Sequence, residues 1–269
     1  MIEILKYIFL GLVQGIAEVL PISSSAHLVI VNDVFGIEMP NSFEVFLHIA
    51  SLIAVLFFLR KKLWQLIVGF FGFIFKRKEE YKKDFMYCIY VVVSTLIVVI
   101  ATLIFGNYSD IVANTLWLVG LLLVINAILL FILPQINGNR TREELNIKDA
   151  LVIGAFQCLG VIPGISRSGS CLCGAFTRKI DKETAADYAF ILFVPAMVGA
   201  TVLNAKDLLG LFNDTSLIGH YLLSFAVTSV ITYFAFAFLL KIIKKGKLSY
   251  FGYYCLVVGA LVFTYGVLK

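Results

Sequence analysis

With 269 residues, 61% of them hydrophobic and only 14% charged, the chain carries more apolar surface than a soluble domain can bury. Its mean hydropathy of +0.97 comes from continuous apolar runs rather than alternating ones, which argues against a β-barrel. The net charge of +5 does not mark a nucleic-acid binder, because the basic residues cluster between apolar runs, where they act as topology anchors.

The chain therefore reads as an all-α polytopic membrane protein. Residues 4–18 are apolar; Pro21 and a serine cluster follow, and then Leu28 to Phe35. Fifteen helical residues reach about 22 Å, short of the roughly 30 Å hydrocarbon core. Two short pieces joined at a polar tip predict a re-entrant hairpin, which is tolerated where protein or a water-filled cavity covers the broken backbone. The first run lacks a strongly basic start and carries a motif used again later, so it is not read as a signal peptide. Three full spans are expected next, at about 43–59, 85–105 and 113–133. After a polar loop with Pro134 and Gly138 comes a second broken segment, 148–177. Spans at about 184–203, 218–240 and 249–267 complete the chain.

The two broken segments resemble each other. Gly11, Gln14, Ser23 and Ser25 recur 143 positions later as Gly154, Gln157, Ser166 and Ser168. A hairpin does not cross the membrane and three spans are odd in number, so the second half must start from the opposite side. The expectation is one membrane domain, 1–269, built as an inverted repeat of about 1–134 and 148–269, with the two polar tips meeting near the midplane. Of the 22 Lys and Arg, 18 then fall on one side, which the positive-inside rule makes cytoplasmic. Both termini lie outside. The five cysteines show neither metal spacing nor a disulfide framework and read as small packing residues.

Ionisable residues inside apolar stretches point to function. Glu18 shares a helical stripe with Gln14 and Gly11 and is a candidate acid or base. Serines 23, 24 and 25 open the next half-helix, and at least one of them should cap it. His27 follows Ser23 by four residues and Ser24 by three, a spacing that can set an imidazole beside a hydroxyl. Arg167, between Ser166 and Ser168, is a candidate phosphate clamp at the other tip. Two half-helix N-termini, a row of hydroxyls and a guanidinium suit a highly charged anion, a phosphate or diphosphate. Glu44 and His48, four residues apart, form either a pair in the outer vestibule or an ordinary helix-surface contact. His220 reads as an interface residue.

At these residues the chain resembles the undecaprenyl-diphosphate phosphatase family, the integral membrane enzymes associated with bacitracin resistance. The resemblance rests on Glu18-Val-Leu-Pro-Ile-Ser-Ser-Ser-Ala-His27 and Pro163-Gly-Ile-Ser-Arg-Ser-Gly169, and more loosely on Phe43-Glu-Val and Phe193-Val-Pro195. It implies removal of the terminal phosphate from a polyprenyl diphosphate, leaving the monophosphate lipid carrier for cell-envelope synthesis. It also implies six spans, two re-entrant hairpins and a site open to the outer face of the cell membrane. The implied roles are acid–base for Glu18, nucleophile for Ser24, catalytic partner for His27, and phosphate binding for Ser166 and Arg167, with Ser23, Ser25 and Ser168 beside them. The attacking group is Ser24, His27 or water. The partners are the polyprenyl lipid and the bilayer, with a homodimer compatible and nucleic acid not expected.

Two positions depart from the family pattern: Gln14 where a second glutamate is usual, and Cys171 where a threonine is usual. A glutamine supplies no anionic charge to Mg²⁺ or Ca²⁺, so a divalent cation would rest on Glu18. The alternative to hydrolysis is a polyprenyl-phosphate transporter, since inverted repeats with broken helices also build transporters.

Overall fold

The computed structural model describes residues 2–36, 40–136, 138–213 and 215–269. Eleven α-helices run through them: α1 (Ile2–Ala17), α2 (Ser24–Phe35), α3 (Asn41–Lys76), α4 (Glu79–Ala113), α5 (Leu116–Ile132), α6 (Ile147–Leu159), α7 (Arg167–Thr177), α8 (Lys182–Leu203), α9 (Ala205–Gly210), α10 (Ile218–Lys244) and α11 (Ser249–Leu268). Among the described residues there is no sheet, only one parallel bridge between Arg140 and Ile180. Six helices, α3, α4, α5, α8, α10 and α11, are long and apolar enough to cross a membrane. The protein is a multi-pass membrane protein.

The spans follow the apolar runs, with two extensions. The first two were expected to end near 59 and to start near 85, but α3 continues to Lys76 and α4 begins at Glu79. At 36 residues, α3 is about 54 Å long and outreaches the hydrocarbon core. Residues 63–75 are apolar apart from Gln65, and Phe70 and Phe73 pack against Phe85 of α4, so the helix has a surface to pack on. A Cβ on Gly69 or Gly72 would collide with Asp84 or Tyr81 respectively. The basic stretch 60–83 is therefore a helical hairpin, turned at Arg77 (φ 48°), rather than a loop.

Small residues allow the closest helix contacts, as expected where lipid rather than water surrounds the bundle. A Cβ on Gly11 would lie 2.8 Å from the Ser224 carbonyl, so α1 rides directly on α10. Gly154 stands in the same relation to Ser94, where α6 meets α4. The most extensive pairing is α5 with α11.

The basic clusters gather at one end of the bundle. Lys62 pairs with Asp187 and Lys83 with Glu143. Arg142 reaches Asp84 at 2.6 Å, and Lys244 reaches Glu183 at 3.4 Å. At this end, buried Asp149 accepts from Arg140 and Arg178 at 2.7 and 2.8 Å. Burial alone would raise the pKa of Asp149, but the two arginines outweigh it and hold the carboxyl below its ordinary value.

Candidate active site

Both broken apolar segments break where expected. The first leaves α1 after Ala17 and resumes at Ser24; the second leaves α6 after Leu159 and resumes at Arg167. The two tips touch. Ser23 Oγ accepts from the Gly164 N–H at 3.1 Å, and Ser168 Oγ donates to the Leu20 carbonyl at 3.4 Å. Ser23 has φ 70° and Gly164 φ 110°, so each turn needs a left-handed residue at the contact. Asn126 of α5 bridges them, donating to the Pro21 carbonyl at 2.9 Å and accepting from the Ser166 N–H at 3.1 Å.

Glu18 hangs from the last turn of α1 and is buried. Its Oε2 accepts from Gln14 Nε2 at 2.8 Å and from Ser24 Oγ at 2.7 Å. The same oxygen lies 2.9 Å from His48 Nδ1, and Oε1 faces Arg167 Nη2 at 3.5 Å. Donors and a guanidinium converging on one carboxylate are what a buried anion requires. His48 continues outward to Glu44, 3.6 Å from its Nε2. Of the two readings of the Glu44–His48 pair, neither anticipated that His48 reaches Glu18.

The second tip supplies the cation. Arg167 opens α7, and its guanidinium lies 5.5 Å from the Phe193 ring centroid. Ser166 is the N-cap: its Oγ accepts from the Gly169 N–H at 3.2 Å and lies 3.1 Å from Ser168 Oγ. Glu18, Ser23, Ser24, Ser25, Ser166, Arg167, Ser168 and Cys171 all line one cavity between the tips, with a volume of about 20 Å³. The half-helices α2 and α7 both begin at this cavity, so the positive ends of their dipoles lie there.

Two serine and histidine expectations change. Ser23 occupies the N-cap position of α2 but makes no side-chain cap bond, because its hydroxyl is spent on Gly164. His27 does not sit beside a serine hydroxyl. Its Nδ1 donates to the Ser23 carbonyl at 2.8 Å, which leaves Nε2 to accept from Tyr254 O–H at 2.8 Å. The ring stacks on Tyr254 and is not part of the cavity wall. The partner of Ser24 is Glu18.

A divalent ion held by carboxylates does not fit this arrangement. Among the described residues Glu18 is the one carboxylate on the cavity, its Oε2 is occupied by donors and its Oε1 faces a guanidinium. Among the described residues no group of three or more His, Cys, Asp or Glu could hold a metal. The reaction steps below are accordingly built on side chains alone.

Fold and site together define a polytopic membrane protein with a small polar cavity sunk between two broken helices, where Arg167 faces the buried Glu18. The family model described as bacitracin resistance protein BacA matches residues 7–261, and the chain belongs to that family. It is 38% identical over 265 residues to the undecaprenyl-diphosphatase of Oceanobacillus iheyensis, covering 97% of this chain and 96% of that one. It is 39% identical over 268 residues to undecaprenyl-diphosphatase 1 of Shouchella clausii, covering 98% and 96%. Undecaprenyl-diphosphatase 3 of Bacillus anthracis is 37% identical over 259 residues, covering 96% of each.

Proposed function

We propose that this protein is a polyprenyl diphosphatase that removes the terminal phosphate of an undecaprenyl-type lipid carrier at the outer face of the cell membrane. The observation that carries this reading is the Ser24 O–H···Glu18 hydrogen bond at 2.7 Å, placed at two half-helix N-termini and beside Arg167. A hydroxyl bonded to a buried carboxylate is an activated nucleophile, and the surrounding dipoles and guanidinium stabilise phosphoryl charge.

In the first step Ser24 Oγ bonds to the terminal phosphorus and its proton passes to Glu18 Oε2. The bridging P–O bond breaks, and the polyprenyl monophosphate leaves with the bridging oxygen. Arg167 holds the oxygens of the transferring phosphoryl group. In the second step water attacks the phosphoserine, and the Ser24 Oγ–P bond breaks. Oγ recovers the proton from Glu18, and inorganic phosphate departs with the water's oxygen. His27 steadies the start of α2 through the Ser23 carbonyl and takes no part in the proton transfers.

We infer as well that the two halves form an inverted repeat with re-entrant hairpins. What supports this is the exchange of partners: α1 of the first half packs on α10 of the second, and α6 of the second packs on α4 of the first. The gathering of basic residues at one end supports a cytoplasmic placement of that end. The names of the relatives favour hydrolysis over transport without hydrolysis.

The decisive assay is phosphate release from undecaprenyl diphosphate by the purified protein in detergent. Wild type should release phosphate and Ser24→Ala should not, although Ser24→Ala should still bind the lipid. Near-normal turnover by Ser24→Ala would move the attack to water.

A further inference from the structure

We propose that a second chamber, between α4, α6 and α8, seats the prenyl-linked phosphate and the first part of the lipid tail, with Gln157 as a direct donor to that phosphate. This rests on the diphosphatase reading and specifies how its substrate lies.

Space is the first reason. The cavity holding Ser24 and Arg167 has about 20 Å³, too little for both phosphates of a diphosphate. A chamber of about 190 Å³ adjoins it. The two share Ser25, Gln157, Gly160 and Arg167 as wall residues, so the guanidinium stands at the junction. A terminal phosphoryl group at Ser24 then leaves the second phosphate on the far side of Arg167.

The second reason is an unused donor. Gln157 is 1% exposed. Its Oε1 accepts from Cys171 Sγ at 3.4 Å, which turns the amide nitrogen away, and Nε2 has no hydrogen-bond partner. A buried N–H without an acceptor is costly, and a phosphate oxygen at the junction would supply one. Its counterpart in the first hairpin, Gln14, spends its amide nitrogen on Glu18. The same residue type serves the carboxylate in one copy and is free for ligand in the other.

The walls give the third reason. Arg167, Gln157 and Ser25 make the inner side polar, while Val98, Ala196 and Ala200 make the outer side apolar. Thr102, on the chamber wall, is exposed on the membrane-spanning helix α4. The chamber thus leads sideways to the lipid, and its polarity changes in the order phosphate, then hydrocarbon. Such a wall accepts an amphiphile more readily than a free polar ion.

Three variants and three substrates test this. Gln157→Leu keeps the volume and removes the donor, and it should raise KM for farnesyl and undecaprenyl diphosphate by about tenfold with kcat little changed. Ala200→Phe fills the apolar side and should raise KM for undecaprenyl diphosphate, while hydrolysis of inorganic diphosphate stays at the wild-type rate. Ala196→Phe narrows the same wall if Ala200→Phe does not purify folded. An unchanged KM in Gln157→Leu, or an equal loss on lipid and inorganic diphosphate in the phenylalanine variants, would overturn the proposal. Binding is scored separately, as the rise in unfolding temperature caused by undecaprenyl diphosphate. If wild type hydrolyses nothing but binds, and Gln157→Leu loses the rise, the enzyme reading fails and the chamber stands. If wild type neither hydrolyses nor binds, both fall.

Discussion

His48 Nδ1 lies 2.9 Å from Glu18 Oε2, the oxygen that also accepts from Ser24 Oγ. The imidazole of a membrane span thereby fixes the carboxylate that we propose receives the serine proton. His48→Leu should lower kcat by at least about tenfold, because it strips a hydrogen bond from a buried charged group. His48→Asn places an amide donor near the Nδ1 position and should keep most of the activity. Phosphate release by both variants, with folding checked by thermal unfolding, measures this. Equal loss in the two would point to packing rather than orientation of Glu18.

Much of the site could be read from the residue pattern, and its errors have physical causes. The tip motifs located Glu18, Ser24 and Arg167, because prolines and serine clusters interrupting apolar runs leave few structural options. His48 was noticed only through Glu44, since helical spacing reports neighbours along one helix and not across two. Asn126 carries a signal of its own, as a lone polar residue in the most apolar of the spans. The spacing of His27 to Ser24 does not set the imidazole beside the hydroxyl, because that spacing ignores the backbone and the Ser23 carbonyl is a nearer acceptor. The overlong α3 was missed because charge at Arg60, Lys61 and Lys62 marks the membrane surface, not the end of a helix.

Arg167 faces Glu18 at 3.5 Å and overlies Phe193. Arg167→Lys keeps the charge but loses the planar fork and the ring contact. Activity should fall by at least about tenfold, in line with the worth of charge-assisted hydrogen bonds. Wild-type turnover in that variant would reduce the arginine to an anchor.

Lys78 lies at the turn between α3 and α4, with 62% of its side chain exposed. If the basic end is cytoplasmic, Lys78→Cys should resist an impermeant maleimide in intact cells and react once the membrane is permeabilised. Labelling in intact cells would invert the assigned orientation.

Asp149 ties Arg140 and Arg178 at the basic end. Its pKa is depressed in the folded state, so the stability it contributes is complete above the ordinary carboxylate value of about 4. That stability is lost as pH falls through the depressed value. Asp149→Asn leaves two arginines short of their anion and should cost about 3 kcal/mol near neutral pH. The unfolding temperatures of wild type and variant in detergent should converge as the pH drops below about 4. A gap that persists at the lowest pH would show that the loss is not electrostatic.

Gln14 Nε2 donates to Glu18 Oε2 at 2.8 Å, and Gln14 Oε1 is buried without a partner. Gln14→Glu exchanges that donor for a second carboxylate at hydrogen-bonding distance. Two carboxylates so close cannot both stay ionised unless a cation lies between them. Without added metal, one should hold a proton and Glu18 should become a poorer base, so turnover in EDTA should fall below wild type. Mg²⁺ or Ca²⁺ binds such an oxygen pair together with phosphate oxygens and should restore turnover in the variant. The check is phosphate release from undecaprenyl diphosphate across a titration of each ion, for wild type and Gln14→Glu side by side. The expected result is a steeper cation response in Gln14→Glu than in wild type, largest at and above neutral pH. If the two respond alike, position 14 does not set the cation requirement, and the amide serves only to hold Glu18 toward Ser24.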